Sequence, residues 1–222
     1  MAAKLALPFI DGDDLHSKEN IDKMSRGEPL DDSDRCPWLH RIREEAIRAS
    51  FGNPGACDQG SQDSRPRGLI VACSALKKSY RDVLRGRHSV QVPTVNGNAL
   101  PNGLHPDEPF HPSLSTFFIH LTGSYDTLYK RMANRKGHYM KENLLDSQVS
   151  TLELPSDQEK LEDVIQVDFD LITDTEAQVE SALSAIVRLA KEVQANRGLR
   201  GDSLRQAGSS VMTMHWTVSP PT

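Results

Sequence analysis

An α/β domain of three layers, with helices on both faces of a parallel sheet, is the fold class this sequence predicts. Two observations carry it. Four short apolar runs have strand character, Leu7–Ile10, Leu69–Cys73 (LIVAC), Thr116–Leu121 (TFFIHL) and Val164–Val167 (VIQV), and their near-continuous apolarity is that of strands covered on both sides. Segments of helical period separate them, which is the alternation that builds parallel strands through crossover helices.

Taken in order, the first run leads straight into Asp11. A stripe of Leu39, Ile42, Ala46 and Ala49 follows Pro37, a residue suited to a first helical turn. The LIVAC run is followed by Ser74, a candidate N-cap, and by the stripe Leu76, Tyr80, Val83 and Leu84. After the TFFIHL run, Tyr125, Leu128 and Met132 form a third stripe. The last and most regular is Val179, Leu183, Ile186, Val187 and Ala190, opened by Thr173 and Glu176 at capping-box spacing. In an open parallel sheet, chemistry gathers at the carboxyl ends of the strands. Asp11, Cys73, Ser74 and Thr122 to Ser124 then share one rim.

Residues 52–68 and 90–115 are rich in Gly, Pro, Asn, Asp and Ser and are expected to be surface insertions. The domain is read as 1–196. Beyond it, 197–222 has no sustained period and is expected to be a disordered tail, its RGD triplet at Arg200–Asp202 a chance tripeptide.

Composition fits a globular protein, with 26% charged and 37% hydrophobic residues. No apolar run approaches the roughly 18 to 20 residues of a membrane span, and the N-terminus lacks the pattern of a secretion signal. Three cysteines without a C-x-x-C pair suggest neither a disulfide framework nor a zinc site, so a cytoplasmic setting is expected. A formal net charge of −5 argues against a general nucleic-acid-binding surface.

Three segments concentrate polar chemistry. Asp11–Leu39 (DGDDLHSKENIDKMSRGEPLDDSDRCPWL) could supply acceptors for hydroxyls and cations for a carboxylate through Asp13, His16, Asn20, Lys23 and Arg35. A solvated helix face with a capped turn explains the same residues. Asp11 and Asp13 alternate at a strand end, so one can face a metal's water shell and the other a substrate hydroxyl. In Cys73–Gly86, Lys77 and Arg81 stand at i, i+4 and could face one pocket, or form an exposed basic face. In Arg131–Met140, Arg131 and Arg135 share a face that suits a mobile cationic lid, or a basic helix end complementing the dipole. Met24, Trp38 and Leu39 are assigned to packing. Cys73 is read as a small buried residue.

Together these segments, with HLTGS (His120–Ser124), RKGHYM (Arg135–Met140) and LLDSQVSTLE (Leu144–Glu153), resemble the gluconokinase family of small P-loop kinases over about residues 2–193. The resemblance implies a three-layer parallel sheet of P-loop kinase type. It also implies transfer of the γ-phosphoryl of ATP to the 6-hydroxyl of D-gluconate, with Mg²⁺. It places Asp13, Arg131 and Arg135 in catalysis, and His16, Asn20, Lys23, Arg35, Lys77, Arg81, His138 and Gln148 around the substrate. Asp11 would reach the metal through a bound water. No nucleic-acid or membrane partner is implied, and a homodimer is left open.

One departure stands out. None of the fourteen glycines is followed by lysine, so the phosphate-binding G-x-x-x-x-G-K-S/T loop is not among these residues. The expectation is a sheet lacking its first, central strand and a chain of 222 residues without measurable turnover. The competing function class is a sugar-acid binder that does not catalyse; within enzymes, it is a small P-loop kinase for shikimate or a nucleotide.

Overall fold

The computed structural model describes residues 1–51, 68–87, 114–133, 143–199 and 210–216. The insertions expected at 52–68 and 90–115 fall almost wholly outside them. The chain opens with a short helix α1 (Ala2–Leu5), strand β1 (Phe9–Asp11) and a 3₁₀ turn (Gly12–Leu15). Helices α2 (Lys18–Ser25) and α3 (Asp32–Phe51) follow, then β2 (Gly68–Ala72), α4 (Lys78–Arg85), β3 (Ser115–Thr122) and α5 (Tyr125–Ala133). Next come α6 (Asn143–Thr151), α7 (Asp157–Glu162), β4 (Val164–Asp168), α8 (Thr175–Leu199) and β5 (Ser210–Trp216).

The strands form one five-stranded sheet in the order β1-β2-β5-β3-β4, every neighbouring pair parallel. Because alternate strand residues face opposite sides, Leu69 and Val71 enter one apolar cluster with Trp38, Leu39 and Ile42 of α3 and with Tyr80, Val83 and Leu84 of α4. Ile70, Phe117, Ile119 and Leu121 enter a second with Leu128 of α5 and Ala182, Ile186 and Leu189 of α8. Those two clusters are the two faces of the expected three-layer arrangement. Among the described residues no helix is long and apolar enough to cross a membrane.

Two stretches within the expected disordered tail at 197–222 have regular structure. Helix α8 continues to Leu199, and Ser210–Trp216 is the middle strand of the sheet. Its residues Ser210–Met214 align with Gly68–Ala72 of β2, while Ser210–Trp216 align with Ser115–Leu121 of β3. A central strand is therefore present, supplied from the C-terminal end of the chain. A seven-residue run such as SVMTMHW is too short to show a period beside a polar, Gly- and Ser-rich neighbourhood.

Helix boundaries also depart from the pattern. α3 begins at Asp32, which leaves Pro37 inside it, so the amide missing at Pro37 costs the helix one bond. α4 is capped by Lys77 rather than Ser74. α8 is opened by Asp174, whose carboxylate accepts the Ala177 N–H at 2.7 Å, rather than by Thr173. Its buried face is Ala182, Ile186 and Leu189, and Val187 turns outward at 50% exposure.

Between α4 and α7 lies a buried ionic cluster. Arg81 forks onto Glu159 at 2.8 and 3.0 Å, and Arg85 forks onto Asp163 at 2.7 and 2.6 Å while also meeting Asp82. Such pairs satisfy their partners but punish the loss of one member. Burial pushes the Glu159 carboxyl up, yet the bonds from Arg81 and the Ser156 N–H, with the charges of Arg81 and Arg85, hold it down at about 2. Its contribution to stability is thus complete above its ordinary value of 4.5 and is lost as pH falls towards about 2. Urea unfolding across that window should show an acid-side loss of stability that Glu159→Gln reduces; equal losses in both proteins would assign the effect to another carboxylate. Arg81→Ala should cost about 3–5 kcal/mol at neutral pH.

Candidate functional site

The site begins with a close backbone approach at the rim. β1 pairs with β2 so that Asp11 lies opposite Ala72, and the turn after Asp11 presses Gly12 against the end of β2. A Cβ on Gly12 would meet the Ala72 carbonyl oxygen at 2.7 Å and the Cys73 Cβ at 2.9 Å. Only glycine fits there. The Asp11 side chain accepts the Asp13 N–H at 3.1 Å, capping the 3₁₀ turn that carries Asp13.

Trp38 of α3 seals this turn from the other side. Buried at 2% exposure, it donates its indole N–H to the Gly12 carbonyl at 2.6 Å. Its ring stacks on His16, with centroids 4.5 Å apart and planes 10° from parallel. Arg41, one turn along α3, donates to the Leu15 carbonyl at 3.2 Å. The far wall comes from α6, whose end docks on the approach to α4: the Glu153 N–H donates to the Leu76 carbonyl at 2.9 Å, and the Glu153 carboxylate accepts the Lys78 N–H at 2.8 Å.

The resulting cleft encloses about 410 Å³, counting space open to solvent, and is lined by Asp13, His16, Arg35, Ser74, Ser147 and Gln148 over an apolar floor that includes Met24, Leu30 and Trp38. One carboxylate, one guanidinium, an imidazole, two hydroxyls and an amide around such a floor suit a small, polar, anionic molecule. Arg35 is 7% exposed, lies 5.9 Å from the centre of the Tyr80 ring, and meets no carboxylate within 4.0 Å among the described residues. Burial, then the charges of Arg35 and Arg41, push the His16 imidazole down to about 4 against a smaller upward pull from Asp34. At neutral pH that ring is uncharged.

Four of the residues singled out from sequence therefore meet in one cleft: Asp13, His16, Arg35 and Gln148. Others go elsewhere. Arg81 is turned into the core, 2% exposed, with Nη1 on the Glu153 carbonyl at 3.0 Å and its other nitrogens on Glu159. Lys77 caps α4 instead of sharing its face with Arg81, and pairs with Asp32 at 2.7 Å. Lys23 pairs with Asp34 at 2.5 Å. Asn20 is buried behind the cleft, its amide on the Asp34 carbonyl at 2.9 Å. Spacing alone could not show these outcomes, because acidic partners in distant segments decide which way each basic side chain turns.

Asp11 remains at the strand end, on the β1 side of the cleft. Arg131 lies over the Phe169 ring at 4.6 Å, beside the end of β4. Arg135 and His138 lie outside the described residues. Cys73 is 5% exposed, and burial, then the charges of Asp13 and Asp11, pushes its thiol up, which fits an inert packing residue. Met24 and Trp38, assigned to packing, do pack, but they also form the floor. Ser147 lies within the LLDSQVSTLE motif but is not singled out there by spacing or type, whereas Ser74 is marked by its position at a strand end.

The chain is 35% identical over 192 residues to a probable gluconokinase of Schizosaccharomyces pombe, a match covering 86% of this chain and 81% of that protein. It is 37% identical over 188 residues to the thermosensitive gluconokinase of Escherichia coli, covering 84% and 79% respectively. Its fold is similar to the crystal structure of a gluconokinase from Sinorhizobium meliloti, with a TM-score of 0.58 at 34% identity over 88% of this chain and 85% of that one. No family model matches the chain.

The Gly12 contact is the most confined in the site, and both atoms it meets belong to the β2 end. Gly12→Ala should lower stability by about 1–3 kcal/mol, since neither the Ala72 carbonyl nor the Cys73 Cβ can give way without moving a strand end. Urea denaturation checks this, and an unchanged midpoint would show that β1 is not held against β2 at that distance.

Proposed function

The chain belongs to the gluconokinase family, and from that premise we propose that it catalyses ATP-dependent phosphorylation of D-gluconate, with the cleft bounded by Asp13, His16, Arg35 and Gln148 as the gluconate site. The observation that carries this reading is Arg35, a buried guanidinium facing a polar cleft. A cation so placed is the partner a substrate carboxylate needs, and its planar fork fits one bidentately.

In this reading the γ-phosphoryl of ATP passes to the 6-hydroxyl of gluconate, giving ADP and 6-phospho-D-gluconate. Asp13 lines the cleft; it orients the acceptor hydroxyl and takes its proton. His16, Gln148 and the two serines bond the remaining hydroxyls. Arg131 is the cation assigned to the transferring phosphates; the family resemblance assigns Arg135 to the same role and His138 to the substrate, both outside the described residues. Lys23 and Lys77 act at a remove, their charges balanced by Asp34 and Asp32.

For Mg²⁺, the described residues offer no cluster of three or more His, Cys, Asp or Glu side chains. That suits this ion, which keeps most of its waters and takes one or two carboxylates with substrate phosphates. Asp11, held at the strand end by the Asp13 N–H, would reach it through a bound water. The ion would supply neutralisation of phosphate charge. The nucleotide itself is proposed on family membership alone, since no G-x-x-x-x-G-K-S/T loop occurs in the sequence. A cytoplasmic setting follows from the same reading.

Calorimetric titration of the chain with D-gluconate tests the proposal. Binding is expected, with D-glucose, which has no carboxylate, failing to compete. Arg35→Ala should weaken gluconate by about 1.5–3 kcal/mol, the range for a charge-assisted bond. Turnover by this chain, which the absent loop argued against, is the first readout of a coupled assay for 6-phosphogluconate; where it is present, Asp13→Asn should leave gluconate affinity nearly intact and lower kcat. Tight gluconate binding by Arg35→Ala would remove the carboxylate assignment.

A further inference from the structure

The hydrogen bonds behind the cleft determine more about His16 than its position. The Asn20 side-chain amide lies between two groups: the Asp34 backbone carbonyl at 2.9 Å and the His16 Nδ1 at 3.4 Å. A carbonyl oxygen can only accept, so the end of the amide facing it is the NH₂. That NH₂ has two hydrogens, and the second is directed to His16. Nδ1 must then be the accepting nitrogen of the ring, which places the ring proton on Nε2. Asn20 is 7% exposed and is itself fixed, its backbone N–H bonded to the Ser17 hydroxyl at 3.2 Å. On the ring face, the parallel stack on Trp38 hinders rotation of the imidazole out of the plane in which Nδ1 meets Asn20, and Trp38 is anchored by its bond to the Gly12 carbonyl.

We propose that Asn20 and Trp38 are positioning residues that hold His16 as its Nε2–H tautomer, so that the ring donates one hydrogen bond to a substrate oxygen and takes no part in proton abstraction. This rests on the reading of the cleft as the gluconate site. The depressed pKa of His16 agrees with it, since a ring that protonated near neutrality would lose the accepting Nδ1. The consequence is a division of labour. With its lone pair already committed to Asn20, His16 cannot serve as the base, and Asp13 is left as the proton acceptor lining the cleft. A fixed donor at one ring position also selects: it favours an acceptor oxygen at that place and leaves its own N–H unpaired against a ligand that lacks one.

Long-range ¹H–¹⁵N correlation on the ¹⁵N-labelled full chain reads the tautomer without any ligand, with His16→Gln assigning the signals. At neutral pH the native ring should show a protonated Nε2 and a lone pair on Nδ1. Asn20→Asp replaces the donating NH₂ by an accepting carboxylate and should shift the proton to Nδ1 or protonate both nitrogens, with gluconate binding weakened about tenfold. Trp38→Phe, which keeps an aromatic stack, should retain the native ring pattern, whereas Trp38→Leu should lose it and weaken binding roughly 2- to 12-fold. A native ring protonated on Nδ1, or an Asn20→Asp ring still protonated only on Nε2, overturns the proposal. Should the native chain bind no gluconate, the substrate assignment falls with the reading it rests on, while the ring signals still decide whether Asn20 and Trp38 set the tautomer.

Discussion

The backbone pairing of β5 with both β2 and β3 is the constraint on which the rest of the molecule depends. β2 and β3 are not bonded to each other; each is bonded to β5. Without a strand in that slot their facing edges would carry unpaired N–H and C=O groups in the middle of the sheet, where no water can satisfy them. The two halves, β1 with β2 and β3 with β4, would then share only side-chain contacts. The shared orientation of the five strands brings the ends of β1 and β2 to one rim and the ends of β3 and β4 to its continuation, which places Asp13 and Ser74 on one side and Arg131 on the other.

A second constraint is the ionic cluster that joins α4 to α7. Arg81 and Arg85, four residues apart, turn the same way along α4, and both point inward to Glu159 and Asp163 rather than outward to a ligand. Arg85 also lies 4.7 Å from the Phe118 ring, which adds an aromatic face to its partners. The cluster fixes α4 against the segment that leads into β4. Because the Arg81 Nη1 also holds the Glu153 carbonyl, the same network fixes the end of α6, and with it Ser147 and Gln148. Arg81 thus affects the cleft through the backbone that it ties down.

The site joins rigidity at its base to polarity at its mouth. Gly12 lets β1 approach β2, Trp38 covers the turn, and Asn20 and Asp34 support His16 from behind. Each of these groups is buried or bonded to backbone, so the turn that carries Asp13 and the His16 ring are held with little freedom to lose on binding. Preorganisation of this kind lowers the entropy cost of fixing a small polyhydroxy acid.

The sequence by itself determined the α/β class, four of the five strands to within a residue or two and the two faces of the core, and it brought forward Asp13, His16, Arg35 and Gln148 as candidates that the fold gathers around one cleft. Those features rest on local periodicity and on dense motifs, and both survive in a single chain read end to end. Only the tertiary structure decided the rest. The middle strand was illegible because its seven residues owe their place to edges offered by β2 and β3, more than 80 residues away. Arg81, Lys77, Lys23 and Asn20 look alike in sequence as polar residues near a pocket. Glu159, Asp32, Asp34 and the Asp34 carbonyl draw them away from the cleft, because a charge or amide leaving water turns to the nearest partner that can satisfy it.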